Sequence, residues 1–150
     1  LVAPEEIAEC AKKVHDFLTV GAPSPLQEAA VVGLNFDESY YQELKKTYTK
    51  ISDHFLKGLD EIGLKHTTPQ GTYFVLVDIS EFLELEQFKE MNDLEFSEWM
   101  TINIGVAPVP GSSFFREDVN NLIRLHFARS KETLDECLKR LSKLKYLLNK

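Results

Sequence analysis

The chain has 150 residues, 43% of them apolar and ten of them Phe, and a formal net charge of −7. This length supports one domain with a real core and excludes two ordinary ones, while the apolar content excludes a disordered segment. The negative charge argues against nucleic acid or an anionic membrane surface as a partner.

No apolar run approaches the roughly 20 residues needed to span a bilayer, and the first residues carry no basic-then-apolar leader pattern. Leu1, Val2 and Ala3, directly ahead of Pro4, read as the end of a strand whose beginning is missing, so the chain is expected to be a piece of a longer protein. Pro4 at a first-turn position, followed by Glu5 and Glu6, starts a helix with Ile7, Ala8, Ala11, Val14 and Leu18 as its apolar positions. The stretch Gly21 to Pro25 breaks it. Ser24 is the expected N-cap of the next helix, with Pro25 at N1 and Gln27 at the capping-box position. That helix, from Leu26 to about Leu34, is almost wholly apolar and is expected to be buried on most sides.

A long amphipathic helix follows from about Glu38 to Ile62, with Tyr41, Leu44, Tyr48, Ile51, Phe55, Leu56 and Leu59 at helical spacing and Gly63 as its C′ residue. Leu64 to Thr67 reads as a short strand, Pro69 to Gly71 as a turn, and Thr72 to Ile79 as a central strand rich in aromatic and β-branched residues. Acidic Phe82 to Asn92 reads as a surface loop with a short helix. Leu94 to Asn103 is another amphipathic helix, ended by Gly105. Val106 to Val109 is a short strand, Pro110 to Phe115 a loop and Asn121 to Ala128 the next strand. Ser130 caps a last helix running to about Leu148, with Leu134, Cys137, Leu138, Leu141 and Leu144 on one face. Helices first, then strands interleaved with helices, predict an α+β fold: a small sheet of about three to four strands covered by helices. Cys10 and Cys137 lie far apart with no metal-type spacing, which predicts reduced, buried thiols and a cytoplasmic setting.

Three segments carry candidate chemistry. In Asn121 to Ser130, Arg124 stands among Leu122, Ile123, Leu125 and Phe127. A cation there needs a partner or a ligand, and a guanidinium presents a rigid fork that matches a carboxylate bidentately. An Arg in a strand ordinarily points to solvent or pairs with a nearby acid, and that reading stands beside the functional one. Arg129 is its rival. Five residues further along, it points by strand alternation to the opposite face, so that only one of the two faces a pocket, and beside the helix cap Ser130 a solvated role or a capping contact is expected of Arg129. The second segment, Pro69 to Phe74, reaches a strand through a glycine turn. The third, Gly105 to Phe114, is a strand running into a glycine-serine loop, which an ordinary β-turn would also explain. His15, His54 and His66 read as solvated or core residues, whereas His126 shares a strand face with Arg124, where a place at the border of a pocket and a packing role both stand open.

In this order and spacing, Pro-x-Gly-x-Tyr-Phe, Gly-Val-Ala-x-x-Pro-Gly-x-x-Phe and Ile-Arg-Leu-x-Phe-Ala resemble the C-terminal third of class I/II aminotransferases. These are pyridoxal-phosphate enzymes of fold type I, in the aspartate aminotransferase superfamily. The Pro-x-x-Gln-x-Ala helix start within Thr19 to Ala29 fits the same family. The resemblance implies that Arg124 holds the α-carboxylate of an amino acid substrate and that Tyr73 approaches the substrate pocket. It also implies that Val20, Gly21, Ala22 and Pro23 form a loop reaching the neighbouring subunit's active site in a homodimer. Residues 1–34 would then belong to, or link to, a missing large domain, with the Leu26 to Leu34 helix packed against it and exposed as an apolar patch in this piece alone unless it self-associates, and residues 35–150 would form the small C-terminal domain. The Gly-Thr-Tyr-Phe form resembles members acting on aromatic, kynurenine-type or methionine-type substrates.

The departures are as specific. No lysine here matches the one that forms the family's Schiff base, and the aspartate that pairs with the pyridine nitrogen is also without a match. The resemblance therefore implies a chain that docks the substrate carboxylate and closes over the active site, exchanging an amino group between an L-amino acid and a 2-oxo acid only within a longer enzyme. Alone it would be inactive and hold no cofactor. The rival reading is a non-catalytic α+β module that binds a carboxylate or dimerises.

Overall fold

Three helices come first in the computed structural model, which describes residues 2–148. Contacts divide the chain into two compact units, one ending at Glu43 and the other beginning at Leu44.

In the first unit, α1 (Glu5–Thr19) starts behind Pro4, with Glu5 and Glu6 in the first turn, where the helix dipole favours negative charge. Val2 and Ala3 belong to no strand, and Leu1 lies outside the described residues. The helix ends in a tight reversal. Val20 has φ +64° and ψ −45°, and Gly21 N–H donates to the Thr19 carbonyl at 2.7 Å across it. This is a γ-turn of the rarer, strained hand, centred on a β-branched residue.

The next helix, α2 (Ser24–Leu34), starts one residue earlier than its sequence suggests. Ser24 is already helical and Pro23 takes the cap position, where no side chain caps the helix. The shift by one residue takes Gln27 off the capping-box position, and its amide instead reaches back to donate to the Ala22 carbonyl at 2.7 Å. Within these residues α2 buries no side chain, as expected of a helix whose covering domain is missing. Leu26, Val31, Val32 and Leu34 are all exposed, because nothing among the described residues covers them. Cys10 is exposed too, against the expectation of a buried thiol.

The helix α3 (Glu38–Ile62) matches the expected span, and within the second unit it buries Phe55, Leu59 and Ile62. Gly63 takes φ +91° and, with Leu64, donates to the Leu59 carbonyl, closing the helix. The expected strand at 64–67 reduces to a single bridge, His66 to Val77, with Thr67 N–H donating to the Leu76 carbonyl.

The sheet has three antiparallel strands, β1 (Phe74–Asp78), β2 (Val109–Pro110) and β3 (Leu122–His126), in the order β1-β3-β2. The central strand is thus β3, and β1 lies between it and the His66 bridge. The expected strand from Val106 keeps only its last residue and Pro110, since prolines at 108 and 110 cannot donate to a ladder. Short α4 (Ser80–Leu83) follows β1. The helix α5 (Asp93–Asn103) starts at a full capping box: Asn92 accepts from the Leu94 and Glu95 N–H groups, and Glu95 takes the Asn92 N–H. A 3₁₀ turn, Gly111–Phe114, joins β2 to the segment before β3. The last expected helix is broken into α6 (Lys131–Leu141), a 3₁₀ turn at Ser142–Leu144 and α7 (Lys145–Leu148). As expected, Ser130 is its N-cap.

The core lies on one side of the sheet. Val75, Val77, Ile123 and Leu125 point into it and meet Phe55, Leu59, Phe96, Met100, Leu134 and Leu141 from the helices. Where β1 and β3 meet, Asp78 Oδ1 accepts from Ser80 N–H at 2.9 Å, Ser80 Oγ at 2.6 Å and Asn121 Nδ2 at 3.2 Å. Partial burial pushes the Asp78 carboxyl up, but the hydrogen bonds from Ser80 and Asn121 outweigh it and hold the group below the usual carboxylate range.

Two outcomes are expected. With its folded pKa depressed, Asp78 contributes stability above the unfolded value of about 3.9, lost as the pH falls through the folded value. Asp78→Ala is expected to cost about 1 kcal/mol at neutral pH, after discounting for solvent access. In urea melts the gap from wild type should close below about pH 4, and a gap that widens there would contradict this. Gly111 meets the start of β3 so closely that a Cβ would lie 2.6 Å from the Leu122 carbonyl oxygen. Gly111→Ala is therefore expected to cost about 1–3 kcal/mol, read as a lowered urea midpoint; an unchanged midpoint would mean that the turn lifts off the strand freely.

Candidate functional site

The middle residue of the middle strand is Arg124, paired with Leu76 on one side and Val109 on the other. Strand alternation sends Ile123 and Leu125 into the core and turns Arg124 to the opposite face, with Leu122 and His126. There the side chain is half-buried, and its surroundings are aromatic. The guanidinium carbon lies 4.0 Å from the ring centre of Phe114 and 4.6 Å from that of Phe74. Phe74 opens β1, and Phe114 ends the 3₁₀ turn after β2. Two neighbouring elements therefore cover one cation.

Rings over a guanidinium attract its charge through their π faces but accept none of its N–H bonds. Among the described residues no carboxylate pairs with Arg124, whereas Arg140 holds Glu136, Lys65 holds Glu81 and Lys131 holds Asp135. Of the two ordinary fates of a strand arginine, a nearby acid is thus not found among the described residues, and the side chain stays partly open to solvent. What remains is a planar fork of donors, walled by aromatic side chains and lining a cavity of about 310 Å³. Such an arrangement suits an anion that enters in the plane of the fork, a carboxylate above all.

Tyr73, Val109, His126 and Arg129 line the same cavity. Tyr73 is about half exposed, with its ring edge-on to Phe74 at 4.8 Å, and its carbonyl accepts the Phe127 N–H. It follows Thr72, whose φ of +65° is uncommon for a β-branched residue and turns the chain into β1. His126 borders the cavity as its alternation with Arg124 suggests. Arg129 departs from expectation. The ladder ends at His126, so alternation no longer governs residue 129, and both arginines line the cavity. Cys137 lines it too, and burial pushes its thiol up, which makes it a poor nucleophile. Among the described residues no lysine lines this cavity.

Val20, Gly21, Ala22 and Pro23 stand in the first compact unit, all exposed, with the γ-turn at Val20 as their distinguishing geometry. Sequence reasoning singled out the segments that hold Phe74 and Phe114 but not these rings as the walls of Arg124. The signal was available, since each is the closing Phe of a motif that also carries a glycine turn. Asp93, buried at the start of α5 and bonded to Ser112 N–H at 2.7 Å, gave no signal beyond its place in a helix's first turn.

Comparison with known proteins agrees with this geometry. The family model described as aminotransferase class I and II matches residues 1–141. The methionine aminotransferase of Escherichia coli is 35% identical over 144 residues, covering 95% of this chain and 36% of that protein. The probable kynurenine–oxoglutarate transaminase of Saccharomyces cerevisiae is 30% identical over 153 residues, covering 93% of this chain and 34% of its own length. A solved Escherichia coli structure, described as having a methionine aminotransferase function, superposes with a TM-score of 0.74 at 35% identity, over 95% of this chain and 36% of that one. The chain thus spans about a third of the length of the curated relatives it matches.

Proposed function

The chain belongs to the class I and II aminotransferases, and on that premise we propose that it forms the C-terminal part of an enzyme in which Arg124 docks the substrate's α-carboxylate. The reaction is transfer of an amino group between an L-amino acid and a 2-oxo acid. The observation that carries this reading is the half-buried guanidinium, held between Phe74 and Phe114 with no acid of its own among the described residues.

In this reading the two rings fix the plane of the fork and keep water from its faces, so the carboxylate approaches edge-on and meets parallel donors. Lower local dielectric strengthens the pair. Tyr73 and Val109, both at the cavity, add apolar surface beside the bound carboxylate, which favours a donor with an aromatic or otherwise apolar side chain. The second unit closes over the substrate, and the exclusion of water that results protects the reacting groups.

Aminotransferases of this family work with pyridoxal phosphate, which supplies the electron sink. The residues described here do not fit a holder for it. Among the described residues no lysine lines the cavity, and Lys57, Lys65, Lys131 and Lys139 are engaged in surface ion pairs. We therefore assign the Schiff-base lysine to residues outside this chain and expect the 150 residues alone neither to hold the cofactor nor to transaminate. Residues 1–34 then belong to, or link to, the large domain, a placement supported by the exposed apolar side chains of α2. Residues 35–150 form the small domain. The exposed, strained turn at Val20 to Pro23 reaches the partner subunit's active site in a homodimer. The described residues include no helix long and apolar enough to cross a membrane.

In the complete enzyme, Arg124→Leu is expected to lower kcat/KM for its amino acid by about two to three orders of magnitude, as about 3–4 kcal/mol of transition-state binding is lost. Arg124→Lys should fall between, because an ammonium keeps the charge but not the fork. An unchanged kcat/KM in Arg124→Leu would remove the assignment. Carboxylate binding by a complete protein with no transamination at all would favour the binding-module reading instead.

A further inference from the structure

We propose that Asp93 is a positioning residue for the carboxylate fork, acting through the Ser112 backbone and Phe114 on Arg124. The proposal rests on the reading of Arg124 given above. Asp93 is only 1% exposed, and a buried carboxylate is costly unless its oxygens are bonded. Capping does not account for it. Asn92 and Glu95 already satisfy the start of α5 between them, so the Asp93 side chain is spare for that purpose. It reaches across the fold instead, and its Oδ2 accepts the Ser112 N–H at 2.7 Å, a short charge-assisted bond.

Ser112 is the second residue of the turn Gly111–Phe114. One residue before it, Gly111 lies against the backbone of Leu122 at the start of β3. The turn is thus clamped to the sheet at Gly111 and to α5 at Ser112. Two residues after Ser112 comes Phe114, nearly half exposed, whose ring covers the Arg124 guanidinium at 4.0 Å. A ring so exposed is held in place mainly by its own backbone. Releasing Ser112 frees the turn, moves the ring and leaves Arg124 walled on one side only. The fork must then be immobilised when the carboxylate binds, instead of beforehand.

The test uses the full-length protein with arginine-selective ¹⁵N labelling, where the Arg124 Nε–Hε signal is identified by its loss in Arg124→Leu. Ring currents from Phe74 and Phe114 displace that signal from those of exposed arginines. Asp93→Ala is expected to move it toward them and to weaken binding of a simple monocarboxylate, valerate, about three- to tenfold, the cost of ordering one long side chain on binding. Asp93→Asn keeps an acceptor oxygen and should restore both. In a Phe114→Ala background, Asp93→Ala should bring no further loss of valerate affinity, because the path through the ring is already cut. Should Asp93→Ala fail to fold, Asp93→Ser, too short to reach Ser112, takes its place. An unmoved signal with unchanged affinity, or losses that simply add in the double variant, would overturn the proposal. If Arg124→Leu retains valerate affinity, the reading of the site fails, while the displacement of the Arg124 signal by Asp93→Ala still decides the link between the two residues.

Discussion

A permanent charge fixed in the middle strand of a small sheet is the constraint around which the second unit is organised. β3 must bury Ile123 and Leu125 to hold the core together, and alternation then commits Arg124 to the other face. A guanidinium cannot shed its charge to suit an apolar setting. Lys65, Lys131 and Arg140 are each matched with an acid, within a turn of helix or across neighbouring elements. At Arg124 the match is with π faces, from Phe74 through the register of β1 and from Phe114 through the turn before β3. Cation–π contacts of this kind contribute about 0.5–2 kcal/mol each, enough to hold the group's position without using its donors. Attraction to the faces and availability of the edge are separate properties of one planar ion, and the fold uses the first while leaving the second free.

The first unit follows a different logic. Neither α1 nor α2 buries a side chain, although both carry apolar residues at high density. A Leu or Val left in water forgoes about 1.5–3 kcal/mol of burial, and contiguous patches of this kind mark surfaces made for contact. The strained turn at Val20 stands between these two helices, where a less restricted residue would cost less. In the function proposed, both features answer to parts of the enzyme beyond these 150 residues.

Much of this was legible in the sequence, where local chemistry decides the outcome. Helix α3 runs where its apolar spacing and Gly63 place it, and Ser130 caps α6 as its hydroxyl allows. The singular position of Arg124 could also be read, because a lone cation in an apolar strand stands out against its neighbours. What escaped depends on partners distant in sequence. Alternation says which face Arg124 takes but not that Phe114, ten residues away, will lie over it. It also says nothing once the ladder stops, which is why Arg129 shares the cavity. The apolar content of α2 suggested burial because periodicity reports a side chain's preference and not whether a covering surface is present. The order of the strands, with β3 and not β1 in the middle, follows from a crossover that no local pattern encodes.

The two-residue length of β2 has a consequence for solubility. A sheet's outer strands offer unpaired backbone groups to any passing strand, and this is the usual seed of edge-to-edge aggregation. Here the β2 edge is Val109 and Pro110, and a proline has no N–H to offer. The outer side of β1 is met by the chain around His66, which takes up Leu76 and Asp78 in backbone hydrogen bonds. Neither border leaves a run of free donors and acceptors long enough to template a fourth strand. The ladder that organises the site is thus bordered on the β2 side by a proline and on the β1 side by the chain around His66.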